Sequence, residues 1–231
     1  MPYMKYLLVD RPSPGVLRVR LDRPRRRNAI DATVLDELEA TLAAPGPPIV
    51  VLGSTDRRAF CAGGDLTLGQ DDLATLSDRL FAFYAHLIEL PNVLVAAVDG
   101  AVRGAGAQLL LCADLRIGGP DTSISWLGAR SGLALGTWRL PQLVGAGRAS
   151  DLSLTGREIR ASEAWSAGLL DRLADDAVAE ATQIAAELGG APDGVPAQVK
   201  ELLRGTDTAA RLDRERTANA TRRLDRKVIS T

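Results

Sequence analysis

The chain has 231 residues, of which 46% are hydrophobic and 25% charged, so it is long enough to bury one substantial core. Its net charge of -1 excludes a chain-wide positive field that would attract nucleic acid or an anionic membrane. The two cysteines, Cys61 and Cys112, have apolar neighbours and no metal-ligand spacing, which indicates reduced thiols and a cytoplasmic protein. Every apolar run is shorter than the ~20 residues that cross a bilayer, and residues 1–10 lack a signal-peptide pattern, so neither membrane insertion nor secretion is expected.

Hydrophobic periodicity predicts alternating strands and helices. Residues 15–21 alternate apolar side chains with two arginines, which is the period of a half-buried strand. The predicted strands are 6–9, 15–21, 49–52, 93–98 and 114–117, and the predicted helices are 30–44, 73–90 and 108–112. From residue 138 onward the spacing is mainly helical, whereas residues 206–231 carry many arginines and aspartates and few apolar anchors. That last segment is predicted to be a solvated helix or a helix that needs a partner, and the whole pattern is typical of an α/β domain.

Two glycine-bearing segments follow predicted strands. The first, residues 59–66, reads Ala-Phe-Cys-Ala-Gly-Gly-Asp-Leu, and its glycines would let a ligand approach the backbone closely. Paired glycines are also common in ordinary tight turns, and this segment alone does not decide between the two.

The second segment, residues 98–109, follows the strand predicted at 93–98. Small residues at 104–107 leave the first amides of the next helix uncovered, and such amides attract developing negative charge, as one half of an oxyanion hole does. A strand–helix packing turn and a dinucleotide loop are the alternatives. The latter is disfavoured because the G-x-G-x-x-G order is missing.

Together with Arg-Arg-Arg-Asn-Ala at residues 25–29, these segments resemble the crotonase (enoyl-CoA hydratase/isomerase) superfamily over about residues 16–203. The resemblance implies an α/β fold, a spiral of ββα turns with two near-perpendicular sheets and a C-terminal helical region. It divides the chain into a core at 1–174 and a helical trimerisation region at 175–231. A homotrimer or a dimer of trimers is the implied assembly.

The resemblance also implies the site. The backbone amides of Gly64 and Ala105 would form an oxyanion hole for the thioester carbonyl of an acyl-coenzyme A ligand. The coenzyme contacts fall on a second group, namely Arg25, Arg26, Ala62, Asp65 and Leu66. The arginines would lie near the phosphates and the backbone of the others near the adenine. Coenzyme A belongs to the ligand, and neither a tightly bound cofactor nor a metal is expected.

Hydratases of this superfamily use two glutamates, and both positions differ here. The first falls on Gln108, whose amide cannot exchange a proton at neutral pH, and the second falls on Gly128. In these features the chain resembles an actinobacterial branch that lacks the hydratase glutamates and binds or delivers fatty acyl-CoA. Arg103 and Arg130 are expected to be solvated or near coenzyme phosphates, with a substrate carboxylate as the alternative.

Three functions remain open from the sequence. The first is an acyl-CoA-binding protein of fatty-acyl or polyketide metabolism with weak or absent hydratase activity. The second is an active hydratase, isomerase or decarboxylase that uses the enolate-stabilising amides with an unrecognised acid or base. The third is a non-catalytic partner of a catalytic paralogue. Trp126, Trp138 and His86 are expected to be structural.

Overall fold

The computed structural model describes residues 4–43, 46, 48–129, 132–192 and 194–229. Within these ranges the chain forms ten strands and nine α-helices, with a 3-10 turn at Pro24–Arg26. The strands are β1 Leu7–Asp10, β2 Val16–Leu21, β3 Ile49–Ser54, β4 Ala59–Cys61, β5 Val93–Val98, β6 Ala101–Arg103, β7 Leu115–Gly118, β8 Ser123–Ser125, β9 Ile159–Arg160 and β10 Arg172–Leu173. The helices are α1 Ala32–Leu42, α2 Gln70–Glu89, α3 Ala105–Cys112, α4 Leu140–Val144, α5 Ala146–Thr155, α6 Ala161–Ser166, α7 Ala177–Gly189, α8 Val195–Leu203 and α9 Thr208–Ile229.

The strands form two sheets. The larger has the order β1-β2-β3-β5-β7-β10, in which only the β1–β2 pair is antiparallel, and the smaller has the order β4-β6-β8-β9, in which only β8–β9 is antiparallel. In the larger sheet Val16 pairs with Ile49, and Ile49 pairs with Val93. The chain moves from the larger sheet to the smaller one after β3, after β5 and again after β7. The first two of these transitions end close to the two glycine segments.

The larger sheet is covered on both faces, as its apolar central strands require. One face packs on α7 through Ala181 and Ile184, and the other face joins the main core with α1, α2 and α3. Strands buried on both sides are expected to be continuously apolar, and all six residues of β5 are indeed buried. The larger sheet is therefore enclosed on both faces, and the glycine turns follow β4 and β6, two strands of the smaller sheet.

Most sequence predictions of this fold are confirmed. The α/β class, the two sheets and the opening β1–β2 hairpin are present, and Arg18 and Arg20 alternate with buried residues in β2 as expected. Trp126 and Trp138 are buried core residues, and His86 Nε2 lies 2.9 Å from the Leu42 carbonyl. The boundary at residue 174 stays a prediction.

The C-terminal helix is the main correction. The sequence predicted a solvated helix, or one that needs a partner, in residues 206–231, yet over residues 208–222 α9 buries four side chains on one stripe, three of them polar: Thr208, Leu212, Glu215 and Asn219. Their spacing of four, three and four residues is that of one helix face, so α9 lies against the body of its own chain. None of the described helices is both long and apolar enough to span a membrane.

Candidate functional site

An arginine-rich turn begins the site. Pro24–Arg26 forms a 3-10 turn, after which Arg27 and Asn28 both have positive φ, at 48° and 54°. Asn28 tolerates this conformation because its buried side chain is fully used: Oδ1 accepts from Arg23 N at 2.8 Å and Nδ2 donates to Ala59 O at 2.9 Å. The turn therefore holds its arginines at a fixed place beside β4.

The first glycine segment is hydrogen-bonded to this turn. Ala62 N donates to Arg27 O at 3.0 Å, while Ile30 N donates to Gly63 O and Asp65 N donates to Ile30 O, both at 2.8 Å. In such a parallel bridge the middle residue, Gly64, turns its amide to the opposite side. Within the described part of the chain, the Gly64 amide meets no hydrogen-bond acceptor.

The second glycine segment begins α3. Gly104 has φ 47° and ψ -110°, which only glycine adopts readily, and this allows Ala105 to start the helix directly after β6. As the first helical residue, Ala105 has no acceptor for its amide in the helix, and none is present among the other described residues.

The two segments lie against each other. A Cβ built on Gly63 would be 3.9 Å from Ala105 N and 3.4 Å from Arg103 O, and one built on Gly104 would be 3.8 Å from Gly63 Cα. The structure thus brings the backbone around the two predicted amide donors, Gly64 and Ala105, to the same place.

The predicted coenzyme residues are distributed around the first segment. Arg25 lines a surface cleft with Arg27 and Arg58, and Arg26 is exposed in the same turn. The amides of Ala62 and Asp65 are already bonded within the fold, so only other backbone atoms there are open to a ligand. Leu66 is 84% exposed.

The Asp65 side chain has a structural role. It accepts from Thr67 Oγ1 at 2.7 Å and Thr67 N at 3.1 Å, and it forms a 2.9 Å ion pair with Arg23. The hydrogen bonds from Thr67, followed by those from Arg23, lower the pKa of the Asp65 carboxyl to about 2 against the opposing effect of burial.

Gln108 is completely buried and is paired with a carboxylate from α9. Its Nε2 donates to Glu215 Oε1 at 2.5 Å, whereas its Oε1 has no hydrogen-bond partner among the described residues. Glu215 also accepts from Gly136 N at 3.3 Å and from both Thr137 N and Thr137 Oγ1 at 2.6 Å. Burial raises the pKa of the Glu215 carboxyl, and the hydrogen bonds from Thr137 and Gln108 oppose that rise.

Asn219, one turn further along α9, holds the same loop. Its Oδ1 accepts from Ala134 N and its Nδ2 donates to Ala134 O, both at 2.7 Å. Residues 132–137 contain no acidic side chain of their own, and the sequence analysis missed that α9 supplies one to this loop. The available signal was the stripe of Leu212, Glu215 and Asn219 at helical spacing in an otherwise charged segment.

Gly128 lies where no side chain fits. A Cβ there would be 2.7 Å from Leu133 O and 3.1 Å from the side chain of Leu135, and the Gly128 carbonyl accepts from Leu133 N at 2.7 Å. The loop that follows is therefore folded over this position. A carboxylate at residue 128 would require a different loop.

The expectation that Arg103 is solvated is wrong. Its guanidinium is largely buried, donates to the carbonyl and hydroxyl oxygens of Ser123, and pairs with Glu158 at 2.5 Å. It therefore braces the small sheet. Arg130 lies outside the described residues.

Both cysteines are buried and unpaired, as predicted. Burial raises the pKa of the Cys61 and Cys112 thiols to about 12, which leaves them protonated and unreactive at neutral pH. No cluster of three metal-ligand side chains occurs in the described ranges.

Known proteins share this sequence and fold. A family model described as enoyl-CoA hydratase/isomerase matches residues 11–230. The chain is 36% identical over 178 residues to "Probable enoyl-CoA hydratase echA6" of Mycobacterium tuberculosis, an alignment that covers 74% of this chain and 73% of that one. The crystal structure of an enoyl-CoA hydratase/isomerase from Xanthobacter autotrophicus Py2 has a TM-score of 0.84 at 26% identity, with 96% of this chain and 87% of that one covered. An enoyl-CoA hydratase from Mycobacterium avium has a TM-score of 0.80 at 29% identity, with coverage of 95% and 90%.

These matches confirm the resemblance to the superfamily that the sequence showed, and the similar proteins include actinobacterial ones. Since the family model spans almost the whole chain and the solved structures share its fold, the chain belongs to the enoyl-CoA hydratase/isomerase family of the crotonase superfamily.

Proposed function

We infer that this chain binds an acyl-CoA thioester through the amides of Gly64 and Ala105 and has weak or no hydratase activity. The observation that carries the proposal is the close approach of the two glycine turns, together with the absence of acceptors for both amides among the described residues. Two N–H groups that meet at one carbonyl oxygen would bind the thioester and would favour negative charge on it.

The arginine turn supports the coenzyme part of this proposal. Arg25, Arg26 and Arg27 are exposed, and none of them forms an ion pair with another described residue, so their charges remain available to phosphate oxygens. Hydrogen bonds from Ala62 and Ile30 tie this turn to the Gly64 segment, which would place both halves of the ligand on one connected support.

Weak hydration follows from the two altered positions. Gln108 is neutral and Gly128 has no space for a side chain, so neither can transfer a proton to the acyl chain. General acid–base groups commonly contribute 10² to 10⁴ in rate, and ligand binding does not depend on them.

The experiment is Ala105→Pro. Proline is well tolerated at the first position of a helix, where the amide makes no hydrogen bond within the helix, so the fold should persist. Its ring carbon Cδ takes the place of the amide hydrogen. Losing one hydrogen bond, with a ring carbon now beside the ligand oxygen, should weaken acyl-CoA binding by at least about 1 kcal/mol, or about fivefold or more in Kd by calorimetry. Ala146→Pro is the matched control, because Ala146 is exposed and likewise follows a glycine at the start of α5. Equal Kd values for both variants and the unaltered protein would contradict the proposal.

Glu215 favours a second candidate, an active hydratase, isomerase or decarboxylase with an unrecognised acid or base. It is a buried carboxyl group beside Gln108, and burial raises its pKa. Its two oxygens accept four hydrogen bonds that hold the carboxyl group in place, which favours the first candidate, a chain that binds acyl-CoA without hydrating it. Hydration of crotonyl-CoA at rates ordinary for metabolic enzymes would instead establish the second candidate.

A homotrimer or dimer of trimers is also part of the proposal, and analytical ultracentrifugation of the purified protein tests it.

A further inference from the structure

The pair formed by Gln108 and Glu215 is the strongest unexplained feature of the site. Both side chains are buried, and although they come from different helices, α3 and α9, the two residues are 107 positions apart in the chain. A buried carboxylate and a buried carboxamide cost free energy unless they are satisfied, so their retention needs a reason.

Glu215 determines which way the Gln108 carboxamide faces. Both Glu215 oxygens accept hydrogen bonds from backbone amides, Oε1 from Gly136 N and Oε2 from Thr137 N, so as a carboxylate it offers only acceptors. Gln108 must therefore turn its NH2 group towards Glu215. Its carbonyl oxygen then faces away, and it is buried without a partner among the described residues.

Gln108 lies on the same face of α3 as Ala105, whose amide is the proposed donor to the thioester. Residues three apart in a helix have Cβ atoms about 5–6 Å from each other, so Gln108 follows Ala105 by one turn on that face. If the Ala105 amide binds the thioester oxygen, the Gln108 oxygen comes within reach of the first carbons of the acyl chain.

We propose that Glu215 is a positioning residue that presents the Gln108 carbonyl oxygen to the ligand, and that this oxygen selects acyl thioesters with a hydroxyl group on the third carbon over those with a keto group there. A hydroxyl group donates a hydrogen bond to this oxygen, whereas a keto oxygen only accepts and would leave two buried acceptors facing each other. The inference rests on the proposed acyl-CoA binding.

The test compares three ligands of equal chain length: a 3-hydroxyacyl-CoA, a 3-oxoacyl-CoA and the saturated acyl-CoA. For the unaltered protein, calorimetry should give about tenfold tighter binding of the hydroxy than of the oxo compound, which is the effect of one unmet buried hydrogen bond. Gln108→Leu should abolish this preference and leave the saturated ligand within about twofold.

The variant Glu215→Gln tests whether Glu215 orients the Gln108 carboxamide or only stabilises the loop that it contacts. The new side chain must keep its oxygen towards Thr137 N, so its NH2 group faces Gln108, and the Gln108 carboxamide has to flip. The donor then points to the ligand, and the preference for hydroxy over oxo should fall to about twofold or less.

Asn219→Ala is the matched control, because Asn219 anchors the same loop through Ala134 and does not contact Gln108. It should weaken all three ligands by the same factor and retain the tenfold ratio. Two results would overturn the inference and still be compatible with acyl-CoA binding. One is that Glu215→Gln weakens the binding of all three ligands by the same factor. The other is that the unaltered protein shows no preference for the hydroxy ligand. If no thioester binds the unaltered protein, the proposed function fails as well.

Discussion

Substitution of Gly106 by alanine is expected to separate the two glycine turns. The added Cβ would lie 2.6 Å from both Cβ and the carbonyl oxygen of Cys61, in β4. Ordinary contact between carbon atoms needs roughly 3.5 Å, so α3 and β4 must move apart by about 0.9 Å. Overpacking of this kind costs about 1–3 kcal/mol, of which helix propensity returns up to about 1 kcal/mol. The same displacement would shift the Ala105 amide relative to Gly64 by about a third of a hydrogen-bond length.

Two measurements follow from this reasoning. Urea unfolding of Gly106→Ala should show a loss of about 1–2 kcal/mol, and calorimetry with an acyl-CoA should show binding weakened about fivefold or more. Gly147→Ala serves as the control, because nothing lies within 4 Å of the added methyl group in α5. The control should keep full affinity, and its free energy of unfolding should stay the same or rise by up to about 1 kcal/mol from helix propensity. A Gly106→Ala protein with unchanged stability and affinity would refute the claim that close packing of α3 on β4 sets the position of the Ala105 amide.

Two further predictions concern residues near the site. Gly128→Ala should lower the free energy of unfolding by about 1–3 kcal/mol in urea, because its Cβ would overlap the Leu133 carbonyl, and unchanged stability would show that the loop yields freely. Asp65→Asn should cost about 2 kcal/mol at neutral pH, since hydrogen bonds from Thr67 lower the Asp65 pKa from 3.8 to about 2. An acid whose pKa is lowered by folding stabilises the folded state above pH 3.8, and this stabilisation is lost as the pH falls through 2. The difference in free energy of unfolding between the two proteins, measured in urea, should therefore shrink over that range. A difference that stays constant would contradict the assignment.

Local patterns were sufficient to predict most of the fold and to single out the two glycine segments of the candidate site. The alternation in β2 and the continuous apolar run of β5 predicted strands because burial on one or both faces requires those patterns. The glycine segments predicted close backbone approach because only glycine allows the conformation seen at Gly104. Motif resemblance then indicated that the two segments act together.

The polar interior of the site could not be read in this way. Sequence analysis placed Gln108 at the position of a hydratase glutamate but did not find its partner, Glu215, because the two residues lie 107 positions apart and the charges of α9 indicated a solvated helix. Arg103 was expected in solvent for the same reason, since its acidic partner Glu158 comes from a distant segment. Pairings between distant charged residues depend on the completed fold, and hydrophobic periodicity does not report them.

The polar anchors of α9 also protect the helix from sliding. Apolar stripes tolerate a shift by one turn, because one aliphatic side chain can replace another at little cost. If α9 slipped so that Arg211 took the place of Glu215, a guanidinium would face the backbone amides of Gly136 and Thr137, and four donors would lose their acceptor. The matching of donors to acceptors thus selects one register of the C-terminal helix, much as one buried asparagine fixes the register of a coiled coil.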